Sequence, residues 1–167
     1  MPTEVGATEN VAERIAALGL RVPTHLALLP RNWADSESVQ DLVHEASAAT
    51  IRKLWREADL PETAIEARDQ PLPYMLERSD EWIGPTIFFG SLLLVENQHA
   101  VTVAIEIIKQ VVMDYFRGRS NPPSVRLEVI VETTKSKNYK RISYSGPAEG
   151  LGELPGLIRE STRNDGT

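Results

Sequence analysis

The three histidines of the chain are the first candidates for metal binding or general acid–base catalysis. They lie at positions 25, 44 and 99, and none is at metal-ligand spacing from another. His44 is followed by Glu45, but the second histidine of an H-E-x-x-H zinc motif is missing. The chain contains no cysteine, which excludes a disulfide framework, a thiolate nucleophile and thiolate-bound metals. We therefore expect no metal and no cofactor.

Carboxylate and hydroxyl side chains also fall into no familiar catalytic arrangement. Glu132 and Lys135 lack the E-x-K spacing of metal-dependent nucleases. Ser91 follows Gly90, but the surrounding residues do not form the G-x-S-x-G turn of α/β-hydrolases. Neither a phosphate-binding Walker A loop nor a G-x-G-x-x-G turn is present. We predict that the protein is not an enzyme, and a hydrolase with an unfamiliar set of catalytic residues stays open as an alternative.

Positive charge is concentrated in one segment. The 167-residue chain has a net charge of −6, yet residues 117–144 carry +5 and the remainder carries −11. Such a basic segment attracts phosphate, nucleic acid or an acidic protein, although lysine-rich hairpins also serve solubility. We predict a contact surface made of these basic side chains and one aromatic side chain available for stacking: Arg117, Arg119, Arg126, Lys135, Lys137, Tyr139, Lys140 and Arg141.

Residues 39–60 offer a second route to nucleic acid. The segment resembles a helix-turn-helix unit, in which Arg52, Lys53 and Arg56 would point outward from a recognition helix. The turn lacks glycine, and residues 31–60 carry more acids than bases. Because phosphate contacts supply most non-specific affinity, a nucleic-acid-binding regulator is the alternative and not the leading prediction.

The first half of the chain is expected to be mainly helical. Residues 1–7 are predicted to form a flexible tail, and a helix would follow between an N-cap at Thr8 and a terminating glycine at Gly19. A short apolar run predicts a strand or packed coil, and two later segments predict helices. These three segments are residues 25–29, 36–43 and 48–60.

The second half contains the most apolar segments. Residues 86–95 predict a buried helix, and residues 100–116 predict a helix with one narrow polar stripe. The longer helix would lie either in the core or against a partner. Alternating apolar side chains predict a hairpin with strands at 125–132 and 139–145. A short helix would follow, in which Pro155 implies either a kink or a late start.

These elements predict an α+β fold with a helical N-terminal half and central apolar helices packed on a C-terminal antiparallel β-hairpin followed by a short helix. A single compact domain would span residues 8–160, with one candidate linker at 61–81 and a disordered tail at 161–167. A secretory signal and an apolar run of about 20 residues are both missing from the sequence. We therefore expect a cytoplasmic protein without a membrane partner.

The C-terminal half resembles one type of small bacterial accessory protein. A predicted apolar helix, 86–116, is followed by VRLEVIVE, YKRISYSG and LGELPGLIRE. This order of elements is similar to that of effector-associated components encoded beside conflict and anti-phage effectors. The resemblance implies a non-catalytic accessory role in bacterial defence. We predict an interaction protein that forms a homo-oligomer or binds another protein through the basic hairpin 117–144.

Overall fold

A mixed β-sheet organises the chain in the computed structural model, which describes residues 3–75, 81–119, 123–133 and 138–163. The α+β class is therefore confirmed, although the sheet has six strands and not only the predicted hairpin. The elements in chain order are β1 Thr3–Ala7, α1 Val11–Ala17, β2 Leu26–Leu29, α2 Ala48–Glu57, β3 Trp82–Ile83, β4 Thr86–Phe89, α3 Ser91–Glu96, α4 His99–Phe116, β5 Ser124–Glu132, β6 Tyr139–Pro147 and α5 Leu154–Arg163.

The strands lie in the order β1-β6-β5-β4-β2, and β3 pairs with the start of β5. β3 and β4 run parallel to β5, whereas the β1–β6, β6–β5 and β4–β2 pairs are antiparallel. Every residue of β4 is buried, as expected for a strand in the parallel part of a sheet that is covered on both faces. The parallel connection from β4 to β5 runs through α3 and α4, which places α4 across the sheet.

One face of helix α4 is buried within the chain. Its indole neighbour Trp55 on α2 donates a hydrogen bond to the carbonyl of Ala104 at 3.3 Å. The main core contains α4, the inner faces of β2, β4, β5 and β6, and residues of α2 and α5. Core burial thus holds for this face, and contact with a partner stays a prediction for the remainder, where Met113 is 46% exposed. The buried residues of α4 are Ala100, Val101, Ala104, Ile105, Ile108, Val112 and Phe116.

The opposite face of the sheet is only partly covered. Helix α1 and the loops that follow β2 and α2 place Val11, Ile15, Trp33 and Ile65 against Phe88 and its neighbours in a second core cluster. This cover lies over β2, β4 and the end of β5. The rest of this face carries polar side chains and forms a groove, described below.

Two terminal predictions need correction. The predicted tail 1–7 contains β1, which pairs along its whole length with β6. The predicted disordered tail 161–167 overlaps α5, which continues to Arg163, and residues 164–167 lie outside the described ranges. Both segments gain their structure from contacts with distant parts of the chain, which local composition does not report.

The predicted helix 86–95 is wrong in its first half. Residues 86–89 form β4, and α3 begins at Ser91. Gly90 separates them, since a Cβ atom there would collide with the backbone carbonyl of Thr24. Only glycine allows the chain to turn this closely past its neighbour.

The N-terminal half is not simply helical, because it contributes β1 and β2 to the sheet. The predicted helix 36–43 is a single 3₁₀ turn, Val39–Asp41, with Ser38 as its N-cap. Helix α1 is capped by Asn10 and not by Thr8, since the Asn10 side chain accepts from the backbone N–H of Glu13 at 3.0 Å. The helices within 48–60 and 100–116, the strand within 25–29 and the hairpin are confirmed.

Candidate functional site

The hairpin of β5 and β6 places its basic side chains on different surfaces. Its inward faces are as predicted, with Leu127 and Tyr144 both buried against the main core. Because successive residues of a strand point to opposite faces, the basic residues are divided between the two faces of the sheet. Lys135 and Lys137 lie outside the described residues.

Arg117 and Arg119 lie beyond the end of α4 and not in the strands of the hairpin. The Arg117 guanidinium contacts the carboxylate of Asp114 at 2.6 Å. Arg119 donates to the carbonyl of Tyr115 at 2.9 Å and lies 4.3 Å from the centre of its ring. Both arginines are exposed, and their contacts are made within the last turns of the helix.

Arg126 and Arg141 share the partly covered face of the sheet. Arg126 lies 3.1 Å from a carboxylate oxygen of Glu81, and Arg141 lies 3.8 Å from one of Glu128. At least half of each arginine side chain is exposed. Exposed ion pairs of this kind contribute about 0–1 kcal/mol, so a partner's carboxylate can replace either acid at little cost.

Lys140 points to the opposite face, where its ammonium donates to the carbonyl of Ser161 on α5 at 2.9 Å. Tyr139 is buried, and its hydroxyl donates to Glu132 at 2.8 Å. Burial and this carboxylate raise the pKa of Tyr139 to about 12. The expectation that Tyr139 is available for stacking is therefore wrong, because its ring packs beside Phe88.

Glu132 anchors the ends of the two parallel strands. Besides the Tyr139 hydroxyl, its carboxylate accepts from the backbone N–H and the hydroxyl of Ser91, at 3.0 and 2.8 Å. These three hydrogen bonds join the first residue of α3 to the end of β5 and to the start of β6. Ser91 is itself buried. The arrangement acts as a structural clamp between these elements.

A buried ionic cluster lies under the segment that follows α2. Arg52 contacts Glu62 at 2.5 Å and Glu66 at 2.7 Å, and Glu66 also lies 3.0 Å from Nε2 of His44. The His44 ring stacks on Tyr74 at a centroid distance of 5.4 Å. Burial on its own raises the pKa of Glu66, but the hydrogen bond from His44 and the charge of Arg52 outweigh it and lower the pKa to about 2. The cluster fastens residues 62–74 to α2.

This cluster corrects the helix-turn-helix hypothesis for residues 39–60. Arg52 is buried in ion pairs and does not point outward. The segment contains one α-helix preceded by a 3₁₀ turn of three residues. A recognition helix needs exposed basic side chains, and α2 supplies only Lys53 and Arg56 for that purpose.

The uncovered part of the sheet forms a groove of about 560 Å³ that both polar and apolar side chains line. Its walls include the loop residues Arg31 and Glu45, which form an ion pair at 3.3 Å. The floor consists of β5 and β6 side chains, among them Arg126, Glu128 and Ser143. Three acids and two bases line the groove, so its lining does not favour a ligand of one charge. Among the described residues, no group of three or more histidine, aspartate or glutamate side chains is arranged to hold a metal ion.

β1 lies at one edge of the sheet and is its most exposed strand. Four of its five residues are exposed, from Glu4 to Ala7. Within the described ranges, β1 pairs with β6 on one side and with no strand on the other. Sequence analysis missed this strand, because TEVGA has few apolar residues and only its β-branched Thr3 and Val5 favour a strand.

Comparisons with known proteins found no protein that is similar to this chain. No protein-family model matches the chain, and no curated protein or solved structure shows significant similarity to it. Among the described residues, no helix combines the length and the apolar character that crossing a membrane requires.

Proposed function

We propose that this chain is a non-catalytic interaction protein that associates with copies of itself through the side of the sheet formed by β1 and β6. The observation that carries the proposal is the outer edge of β1, which no strand of the described residues pairs with and which is exposed from Glu4 to Ala7. Exposed strand edges present backbone donors and acceptors that readily pair with another strand. Arg141 of the basic hairpin lies directly beside this edge, opposite Gly6.

The basic hairpin contributes to this surface through part of its charge. Arg126 and Arg141 face the same side of the sheet as Glu4 and are more than one-third exposed. The chain outside residues 117–144 has a net charge of −11. A second copy therefore offers acidic groups to these arginines, and a protein partner of acidic character would use the same contacts.

The resemblance of the C-terminal half to effector-associated components supports an accessory role, and we place the proposed association in a bacterial defence or conflict system on that basis. The alternative, a nucleic-acid-binding regulator, has less support because Arg52 is engaged with Glu62 and Glu66. Phosphate binding would rest on Lys53 and Arg56 of α2 and on the dispersed arginines of the hairpin.

The proposal is tested by multi-angle light scattering of the purified chain over a wide range of concentrations. The weight-average mass is expected to rise from 18.6 kDa towards twice that value as concentration increases. A mass that stays at 18.6 kDa up to the solubility limit would refute the proposal. In parallel, random duplex DNA is titrated at low and moderate salt, where a steep salt dependence indicates phosphate binding and would favour the alternative.

A further inference from the structure

The direction of each backbone group on β1 follows from one hydrogen bond. Thr8 N–H donates to the carbonyl of Tyr139 at 3.3 Å, so these two residues form a hydrogen-bonded pair of the antiparallel ladder. Because hydrogen-bonded and non-hydrogen-bonded pairs alternate, Gly6 and Glu4 also turn their backbone groups towards β6. Thr3, Val5 and Ala7 must then turn theirs towards the outer edge.

We infer that β1 pairs antiparallel with β1 of a second copy, with Val5 opposite Val5 of that copy. The inference rests on the proposed self-association and names its partner and register. In this register Thr3 lies opposite Ala7 of the second copy. All three outward-facing residues of β1 therefore form backbone hydrogen bonds with the second copy. A shift by one hydrogen-bonded pair in either direction leaves one of them without a partner inside β1 of the second copy and places either Glu4 against Glu4 or Gly6 against Gly6. Like charges directly opposite each other destabilise a sheet.

Side-chain charges also favour the register centred on Val5. In this register Arg141 on β6, Gly6 on β1 and Glu4 of the second copy lie side by side across three neighbouring strands. All three positions are on the same face of the sheet. The outer two Cα atoms are separated by two strand spacings, about 10 Å, which an arginine and a glutamate side chain span together. Gly6 has no side chain to obstruct the contact, and the space above it is open. The twofold symmetry of the pair creates this ion pair twice.

The exposed Val5 side chain gains a partner in the same arrangement. It is 54% exposed in the single chain and meets its symmetry mate across the new pair. Five residues of strand edge bury far less surface than the roughly 1,200 Å² at which stable interfaces begin. The association is therefore expected to be weak and dependent on concentration, in keeping with an edge that remains exposed in the single chain.

The absence of cysteine makes the register directly testable by cross-linking. In Val5→Cys, the two sulfurs belong to residues whose Cα atoms lie about 5.5 Å apart, within the range of disulfides. Val95→Cys is the matched control, because Val95 is also an exposed valine, at 69%, but lies on α3. Under mild oxidation, Val5→Cys is expected to form covalent dimer at least tenfold faster than Val95→Cys. Equal rates would overturn the register.

Two further variants separate this inference from the proposed function. Val5→Pro removes an outward N–H and no bond to β6, a change that edge strands tolerate; it should abolish association while circular dichroism stays unchanged. Exchanging charges in Glu4→Arg or Arg141→Glu should weaken association about tenfold, and combining them should restore it. If the wild-type chain associates and neither Val5→Pro nor the charge exchange affects it, the inference is wrong and the proposed function stands. If the wild-type chain does not associate, both fail.

Discussion

Removing the cation of the buried cluster should strongly destabilise the fold. In Arg52→Met the side chain keeps its length but leaves the carboxylates of Glu62 and Glu66 without their main partner. These carboxylates are 0% and 8% exposed, so water cannot replace the guanidinium. Breaking a buried pair in this way costs about 3–5 kcal/mol. For a chain of this length each kcal/mol lowers the melting temperature by about 2–4 °C, so calorimetry at pH 7 should show a decrease of about 6–20 °C.

Arg56→Met is the matched control for this experiment. Arg56 lies one turn along the same helix and also faces Glu62, at 3.7 Å, but its side chain is 61% exposed. An exposed pair contributes about 0–1 kcal/mol, so this variant should melt within about 4 °C of the wild type. If the two variants melt at the same temperature, the reasoning about uncompensated buried charge is refuted.

Acid should reduce the difference between the wild type and Arg52→Met. In the wild type, burial raises the pKa of Glu66, but His44 and Arg52 outweigh that effect and lower it from an ordinary value of 4.5 to about 2. A carboxyl whose pKa is lowered by folding stabilises the protein above its unfolded value, and this stabilisation is lost as pH falls towards the folded value. Without Arg52 the pKa of Glu66 rises, so the variant loses less stability than the wild type as the pH falls. The difference in melting temperature should therefore decrease between about pH 5 and pH 3, and a difference that grows in this range would contradict the assignment.

Two other predictions concern Gly90, which follows β4, and Tyr139, at the start of β6. Gly90→Ala should lower the melting temperature by several degrees, because the added Cβ collides with the carbonyl of Thr24. In the control Gly152→Ala the added Cβ meets nothing within 4 Å, so the melting temperature should change little. Equal effects would show that the close approach at Gly90 is not needed. For Tyr139, burial and Glu132 raise the pKa to about 12. Tyr139→Phe should therefore change the 295 nm absorbance at pH 11 by much less than one full tyrosinate; loss of a full tyrosinate signal in this variant would contradict the burial of Tyr139.

Long segments with a regular pattern could be predicted from the sequence, and short or continuous apolar segments could not. The nine residues of β5 alternate in burial along most of the strand, and the 18 residues of α4 keep a polar stripe at a spacing of four. Residues 86–95 are apolar throughout, and a continuous apolar run fits a buried strand or a buried helix equally well. The division at Gly90 depends on its contact with Thr24, which no local pattern encodes.

The buried ionic cluster could not be predicted for a related reason. Helical periodicity placed Arg52 on the outer side of α2, beside Lys53 and Arg56. The segment after the helix then brings Glu62 and Glu66 over that side, so that a position polar by pattern becomes buried. Pairing with these acids is what allows a guanidinium to be buried at all, and the acids come from a stretch whose prolines and charges had suggested a linker.

In the basic segment, charges that are close together in the sequence do not lie on one surface. Lys140 and Arg141 are neighbours in the sequence, and for that reason the strand sends them to opposite faces of the sheet. Of the described bases between 117 and 144, only Arg126 and Arg141 therefore share the face that Glu4 also occupies. A surface with two arginines already paired to glutamates binds an anion weakly. The outward backbone groups of β1 have no partner in the described chain. Hydrogen bonds to this edge therefore provide most of the proposed association, and the arginine of the hairpin beside it favours one register.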